Sequence, residues 1–174
     1  ATEDIAALKA IAAADGVVEL QPRDSTFYSE KLKVAQFNLS QEALKPYFPA
    51  PKVLRGLFSI VKRLYGVDII ERQAPVWHTD ARYFELEDQG QVLGGFYFDL
   101  YARSGKRGGA WMSGFRSRMQ TQQGLQKPIC YMVCNFTPPV GEQPALLTHD
   151  EVITLFHEFG HGLHHMLTEV DNIS

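Results

Sequence analysis

Cysteine is scarce in this sequence of 174 residues, which contains only Cys130 and Cys134. Both lie in an apolar run that is typical of a strand, where residues four apart are separated by about 13 Å, too far for a disulfide. Their spacing also differs from the two-residue gap of zinc knuckles. We therefore expect two free, buried thiols, as is typical of a reducing compartment such as the cytoplasm.

Long apolar runs and a strong charge excess are also missing. No apolar run approaches the roughly 18 residues that a membrane span requires, and residues 1–4 lack the basic and apolar regions of a signal peptide. The formal net charge is −3, from 17 Lys and Arg against 20 Asp and Glu, whereas nucleic-acid-binding proteins usually carry a basic excess. We therefore expect a cytoplasmic protein with neither a membrane nor a nucleic-acid partner.

The hydrophobic pattern predicts a mainly helical α+β fold. The first sixty-odd residues have helical spacing, most clearly from Pro51 to Gly66. Residues 82–87 and 95–101 alternate between polar and apolar side chains around a turn, which predicts a hairpin, and residues 129–134 predict a further strand. We expect N-terminal helices, a small antiparallel sheet and a C-terminal helix, with residues 1–174 forming one domain.

The last helix carries the most informative motif. Thr148 and Glu151 have the spacing of a capping box, which predicts where this helix begins. The motif His157-Glu-Phe-Gly-His161 follows in the same helix. A helical wheel places the imidazoles and Glu158 on one side and an apolar arc on the other. The arc consists of Val152, Leu155, Phe156, Phe159, Leu163, Met166 and Leu167.

This spacing suits a zinc site. Imidazoles at positions i and i+4 of one helix face can both reach a single ion at about 2.0–2.1 Å. Glu158 is adjacent to the first histidine and can take a proton from a water molecule that the ion has acidified. The pattern is that of zinc metallopeptidases, and the competing interpretation is an ordinary solvated polar face. The extended metzincin form is excluded, because His164 and Leu167 occupy its downstream positions.

A third metal ligand is difficult to find in the sequence. Glu169 lies eight residues after His161, about 12 Å along a continuing helix, and could join the histidines only through a sharp chain reversal. Asp171 is worse placed unless the last residues fold back. His165 pairs with His161 but not with His157 as well. The residues alone therefore predict two good ligands.

The sequence resembles the thimet oligopeptidase family of zinc metallopeptidases, and most closely its oligopeptidase A branch. The resemblance rests on the HEFGH motif with its flanking residues and on several upstream segments in matching order. These segments are 76–80, 94–103, 105–111, 135–138 and 146–152.

The resemblance implies specific roles for residues in this chain. His157 and His161 would be zinc ligands and Glu158 the general base, and a third ligand, a Glu, would lie beyond Ser174. Gly108, Gly109 and Ala110 belong to a stretch that in the family offers backbone hydrogen bonds to an extended peptide. The substrates would be short peptides.

By the same resemblance, residues 1–174 would be a partial catalytic domain, truncated at both ends. The alternative is a folded, catalytically silent fragment with at most a weak two-histidine metal site. Surface that normally packs against missing segments would favour self-association. Neither Ser nor Cys lies in a nucleophile-elbow pattern, so covalent catalysis is not expected.

Four other residues and one loop have simpler interpretations. His78 and His149 are single histidines at the ends of predicted elements, and we expect structural or exposed roles for them. Trp77 and Trp111 are expected in the core. The loop 104–109 is basic and rich in glycine but does not match a phosphate-binding loop, and we expect a plain or substrate-facing turn.

Overall fold

The computed structural model describes residues 2–37 and 40–170 and divides into two compact units, residues 1–46 and residues 47–174. Within the described residues the α-helices are α1 (Thr2–Ala14), α2 (Ser25–Phe37), α3 (Gln41–Leu44), α4 (Ala50–Tyr65) and α5 (His149–Met166). The strands are β1 (Asp68–Arg72), β2 (Arg82–Asp88), β3 (Gln91–Tyr101), β4 (Trp111–Arg116), β5 (Met119–Thr121), β6 (Gly124–Gln126) and β7 (Ile129–Phe136).

The first unit is helical, as predicted. Helix α1 is followed by Gly16 in a left-handed conformation with φ of 82°. Ala12 of α1 and Tyr28 of α2 are buried. The Ser40 hydroxyl accepts a hydrogen bond of 3.1 Å from the backbone N–H of Ala43 and so caps α3.

The second unit is built on a five-stranded sheet with the strand order β1-β2-β3-β7-β4, beside a separate β5–β6 hairpin. The predicted hairpin is the pair β2 and β3, and α4 ends before Gly66 as expected. The α+β class is confirmed, with about 40% helix and 29% strand.

The sheet is mixed, whereas an antiparallel sheet was expected. Strands β3 and β7 run parallel, with Phe96 opposite Cys130 and Phe98 opposite Met132. A parallel pair needs a connection of about a dozen or more residues. The segment 102–128, which contains β4 and the β5–β6 hairpin, provides that length.

Helices α4 and α5 cover one face of this sheet, which we call the inner face. Its buried side chains include Phe84, Leu86, Phe96, Phe98, Cys130, Met132 and Cys134. Both cysteines are free, as predicted, and burial raises the pKa of each thiol to about 12. The opposite, outer face carries Tyr97 and Tyr131, whose ring centroids are 5.5 Å apart. None of the described helices is both long enough and apolar enough to span a membrane.

Candidate metal centre

The predicted capping box forms at the start of α5. The Thr148 hydroxyl accepts a hydrogen bond of 3.1 Å from the Glu151 backbone N–H. In return, the Glu151 carboxylate accepts one of 2.8 Å from the Thr148 backbone N–H. These two bonds satisfy N–H groups that have no partner within the helix, and they fix where α5 begins.

The apolar arc of α5 packs on the inner face of the sheet. The Phe159 ring lies 5.5 Å from the Phe96 ring and 5.9 Å from the Phe98 ring, measured between centroids. Leu155 and Met166, which belong to the same arc and lie about three turns apart along the helix, are buried. The predicted orientation of the helix is therefore confirmed, and the histidine-bearing side is directed away from the core.

Gly162 brings α5 close to β7. A Cβ atom at this position would lie 2.8 Å from the Met132 sulfur and 3.6 Å from the Cys130 sulfur. Contacts shorter than 3.0 Å are almost never seen for real Cβ atoms. A larger residue would therefore force either the tip of the fully buried Met132 side chain or the helix itself to move.

His165 joins α5 to the edge strand β4. Its Nε2 lies 2.8 Å from the carbonyl oxygen of Arg116, so the ring donates a hydrogen bond from this nitrogen. Its ring also lies against Gly114, where a Cβ atom would be 3.0 Å from His165 Cε1. His165 therefore holds the helix against the sheet, a role that the sequence pattern did not reveal.

His157 and His161 converge on the exposed side of α5. Their Nε2 atoms are 3.1 Å apart, and their ring planes are inclined by 84°. Two tetrahedral ligands that lie about 2.0–2.1 Å from a zinc ion are separated by about 3.3–3.4 Å. The two imidazoles therefore fit one ion with little movement. The same distance also allows one ring N–H to donate to the other ring in the metal-free protein.

Glu158 is half-buried beside this pair. Its negative charge adds to burial in raising the pKa of the Cys134 thiol on β7. In the part of the chain that the structure describes, this carboxylate accepts no hydrogen bond and forms no ion pair. It is therefore available to a water molecule or a substrate.

A third metal ligand is not found among residues 2–37 and 40–170. In these ranges, no group of three or more His, Cys, Asp or Glu side chains is arranged to hold a metal ion. Glu169 is exposed and lies beyond the end of α5 at Met166. Asp171 lies outside the described residues.

The loop before β4 is held by Asn135 at the end of β7. The Asn135 Nδ2 donates to the carbonyl oxygen of Arg107 at 2.8 Å and to that of Gly109 at 2.6 Å. Gly108 and Gly109 are exposed, and Ala110 is partly exposed. The amide of Asn135 therefore sets the path of the segment for which the family resemblance implies peptide binding.

A buried carboxylate fixes the same loop from the other side. Asp99 on β3 accepts hydrogen bonds from both terminal nitrogens of Arg103 at 2.7 and 2.8 Å, from Lys106 at 2.9 Å and from the Trp77 indole at 2.9 Å. Burial alone would raise the pKa of Asp99, but these donors outweigh it and hold the pKa well below its usual range. A lone Asp in an apolar strand, four residues before an Arg, was the available sequence signal.

The tryptophans are not in the core, contrary to expectation. Trp77 is 49% exposed and Trp111 is partly exposed. Trp77 stays on the outer face because its indole N–H is held by the Asp99 carboxylate. His78 accepts a hydrogen bond from the Asp80 backbone N–H at 3.2 Å, and His149 is the first residue of α5.

Comparison with known proteins places the chain in a family. The sequence profile of Peptidase family M3 matches residues 1–173. Oligopeptidase A of Escherichia coli is 56% identical over 173 residues, which cover 97% of this chain and 25% of that protein. The organellar oligopeptidase A of Arabidopsis thaliana is 47% identical over 98% of this chain and 23% of its own length.

A relative that is named for a different activity shares the same region. Dipeptidyl carboxypeptidase of Escherichia coli is 42% identical over 94% of this chain and 24% of its own length. The chain thus spans about a quarter of the length of the relatives that it matches. Because one family profile covers almost every residue, the chain belongs to peptidase family M3.

Proposed function

We propose that this chain carries part of the catalytic site of a zinc-dependent oligopeptidase. His157 and His161 would hold the metal ion, and Glu158 would act as the general base. The observation that carries the proposal is the 3.1 Å separation of the two Nε2 atoms, beside a carboxylate without a partner in the described residues.

In the proposed reaction, the histidines bind the metal ion and Glu158 transfers the proton. A zinc ion held by the histidines would polarise the scissile carbonyl and lower the pKa of a water molecule to about 7. Glu158 would take a proton from the attacking water and pass it to the leaving amine. Its position next to His157 lets it act on the water without occupying a metal position.

We propose short peptides as substrates, because relatives with high identity are called oligopeptidases. Backbone groups of residues 108–110 other than the Gly109 carbonyl, which Asn135 holds, would pair with an extended peptide as a strand does. The free, buried cysteines support a reducing compartment such as the cytoplasm, and one relative from Arabidopsis thaliana is named a probable cytosolic oligopeptidase A.

An alternative for the 174-residue chain by itself is a catalytically silent fold. The observation that favours it is the two-histidine donor set, since within the described ranges no third ligand completes the group. Catalytic zinc sites usually have three protein ligands. We infer that full activity requires segments of the kind that make up the remaining three quarters of the relatives.

The experiment compares two Glu→Gln variants in a polypeptide extended to the length of the relatives. Glu158→Gln should abolish cleavage of a quenched fluorescent peptide while zinc content stays near that of the parent, because the carboxylate acts on water and not on the metal. Glu169→Gln is the matched control, since this exposed residue lies outside α5, and it should keep both properties. Equal loss of zinc and turnover in Glu158→Gln would contradict the assigned role.

A further inference from the structure

A cavity lies on the outer face of the sheet, whereas α5 covers the inner face. Its volume is about 310 Å³, and its walls are mainly aromatic and aliphatic. We call this the outer pocket, lined by Trp77, Trp111, Tyr131, Val133 and Arg107, with Asp99 and Lys106 beneath. Ligand pockets start at about 300 Å³, so the outer pocket is large enough for one bulky side chain. The chemistry proposed for α5 makes no use of it.

The rim of the outer pocket is positively charged. The Arg107 guanidinium lies 5.7 Å from the centre of the Trp111 ring. It is exposed and forms no ion pair with any of the described residues. The Asp99 carboxylate beneath it is already engaged by Arg103, Lys106 and Trp77, so it does not neutralise Arg107. An anionic group at the rim would therefore meet an unpaired cation.

The pocket also lies beside an open strand edge. Among residues 2–37 and 40–170, strand β4 has a neighbouring strand on one side only, which is β7, and its first residue is Trp111. Side chains alternate between the two faces, so Trp111 shares the outer face with its partner Val133, while Met112 and Gly114 are directed to the inner face. A peptide that pairs with the open edge of β4 would direct every second side chain toward the outer face.

We propose that the outer pocket is a subsite for an aromatic side chain of an extended peptide. A carboxylate two residues away along the peptide, on the same face, pairs with Arg107. The proposal rests on the proposed function only in taking a peptide as the ligand. The outer pocket would add a preference that the metal centre alone would not impose. The preferred peptides would have Asp or Glu two residues away from an aromatic residue.

Intrinsic fluorescence gives a direct test in the 174-residue chain. The protein has two tryptophans, and both line the outer pocket. The probe is the peptide acetyl-Glu-Ala-Phe-Ala-Glu-amide, titrated to millimolar concentration without added metal. We expect a saturable change in tryptophan emission. Replacing both Glu by Gln should weaken binding about three- to fivefold, which is the size of an exposed ion pair.

Two arginine variants locate the interaction. Arg107→Gln should weaken binding of the Glu peptide about three- to fivefold and leave binding of the Gln peptide unchanged. Arg55→Gln is the matched control, because Arg55 is exposed on α4 and does not line the pocket. An equal effect of both variants would overturn the proposal, as would unchanged binding of the peptide with Ala in place of Phe.

The remaining outcomes distinguish failure of the aromatic subsite from failure of the proposed peptidase function. Absence of any saturable signal overturns the subsite, even if the extended polypeptide cleaves peptides. Binding as expected supports the subsite, even if no peptidase activity is found. Binding that is present in the 174-residue chain but lost in the extended polypeptide would show that another chain segment fills the pocket, and would also overturn the proposal.

Discussion

Gly162 shows how one residue sets the position of the candidate metal centre. It lies inside α5, where glycine normally costs about 1 kcal/mol relative to alanine. The structure gives the reason for this glycine, since a Cβ atom would lie 2.8 Å from the Met132 sulfur. The absence of a side chain lets α5 rest against β7.

We expect opposite effects from two Gly→Ala substitutions in the same helix. Gly162→Ala should lower the free energy of unfolding by about 1–3 kcal/mol, because the new methyl group overpacks against Met132. Gly160→Ala meets no atom within 4 Å and should raise the free energy of unfolding by up to about 1 kcal/mol. Urea unfolding followed by circular dichroism measures both. Stabilisation by Gly162→Ala would contradict the close packing.

Asp99 is a residue whose side-chain partners the sequence alone did not establish. Its strand was predicted correctly, and Arg103 four residues later was the one sequence signal of a partner for this acidic residue, but the signal does not show that the two side chains meet. Arg103 and Lys106 reach it only because the chain turns back after β3. Side-chain partners of this kind depend on loop geometry, which periodicity does not encode.

We expect Asp99→Asn to lower the free energy of unfolding by about 3 kcal/mol at pH 7, since it leaves the buried Lys106 ammonium and the partly buried Arg103 guanidinium without their counter-charge. The folded-state pKa of Asp99 is depressed, so its stabilisation is present above the unfolded pKa of about 4 and is lost as the pH falls further. The difference between parent and variant should therefore shrink below about pH 4. Denaturant titrations at several pH values measure this.

The control for this prediction is an exposed ion pair. Glu71 pairs with Arg82, and their side chains are 50% and 44% exposed. Glu71→Gln should change the free energy of unfolding by less than about 1 kcal/mol. A loss in Glu71→Gln as large as that in Asp99→Asn would mean that burial does not distinguish the two pairs.

At the scale of whole elements, the sequence predicted helices and strands correctly wherever a local pattern was strong. Helix α5 was predicted from its capping box and its apolar arc, and both are observed. The parallel pairing of β3 with β7 was missed, because strand direction depends on how the chain between them crosses the sheet. The roles of His165 and Asn135 were missed for the same reason, since each bridges elements that are distant in sequence.

The loop before β4 gives a prediction at this scale. Asn135→Ala removes both hydrogen bonds that hold the carbonyl groups of Arg107 and Gly109. We expect amide hydrogen exchange in residues 106–110 to accelerate, with β7 itself still protected, because the strand ladder does not use this side chain. Unchanged exchange in the loop would show that the Asp99 contacts alone are sufficient to hold it.

At the scale of the whole molecule, α4 presents an exposed apolar surface. Ile60, Leu64 and Tyr65 are 42%, 70% and 56% exposed and lie within one and a half turns of the helix. Burying one such side chain is worth about 1.5–3 kcal/mol, so a second copy would gain by covering this surface. We propose this surface as the place of the self-association that the family resemblance led us to expect.

We expect sedimentation to show mass increasing with protein concentration. Replacing Leu64 by Lys should weaken this self-association by about tenfold or more, because it removes one buried leucine from each contact. Lys52→Gln, at an exposed position of the same helix, should have little effect. A monomer at all concentrations would contradict the expectation.

Helix α5 brings the two imidazoles of His157 and His161 together, and we propose that they hold a metal ion. Zinc titration of the 174-residue chain against a chromophoric chelator tests it most directly. We expect one weakly held zinc ion per chain, with the zinc affinity lowered at least about tenfold by His157→Ala or His161→Ala, since even a residue that only orients a ligand is worth about 10–100-fold. His164→Ala, an exposed histidine of the same helix, should leave the affinity unchanged. Zinc binding that survives loss of His157 and His161, or that is lost equally with His164, would contradict the claim.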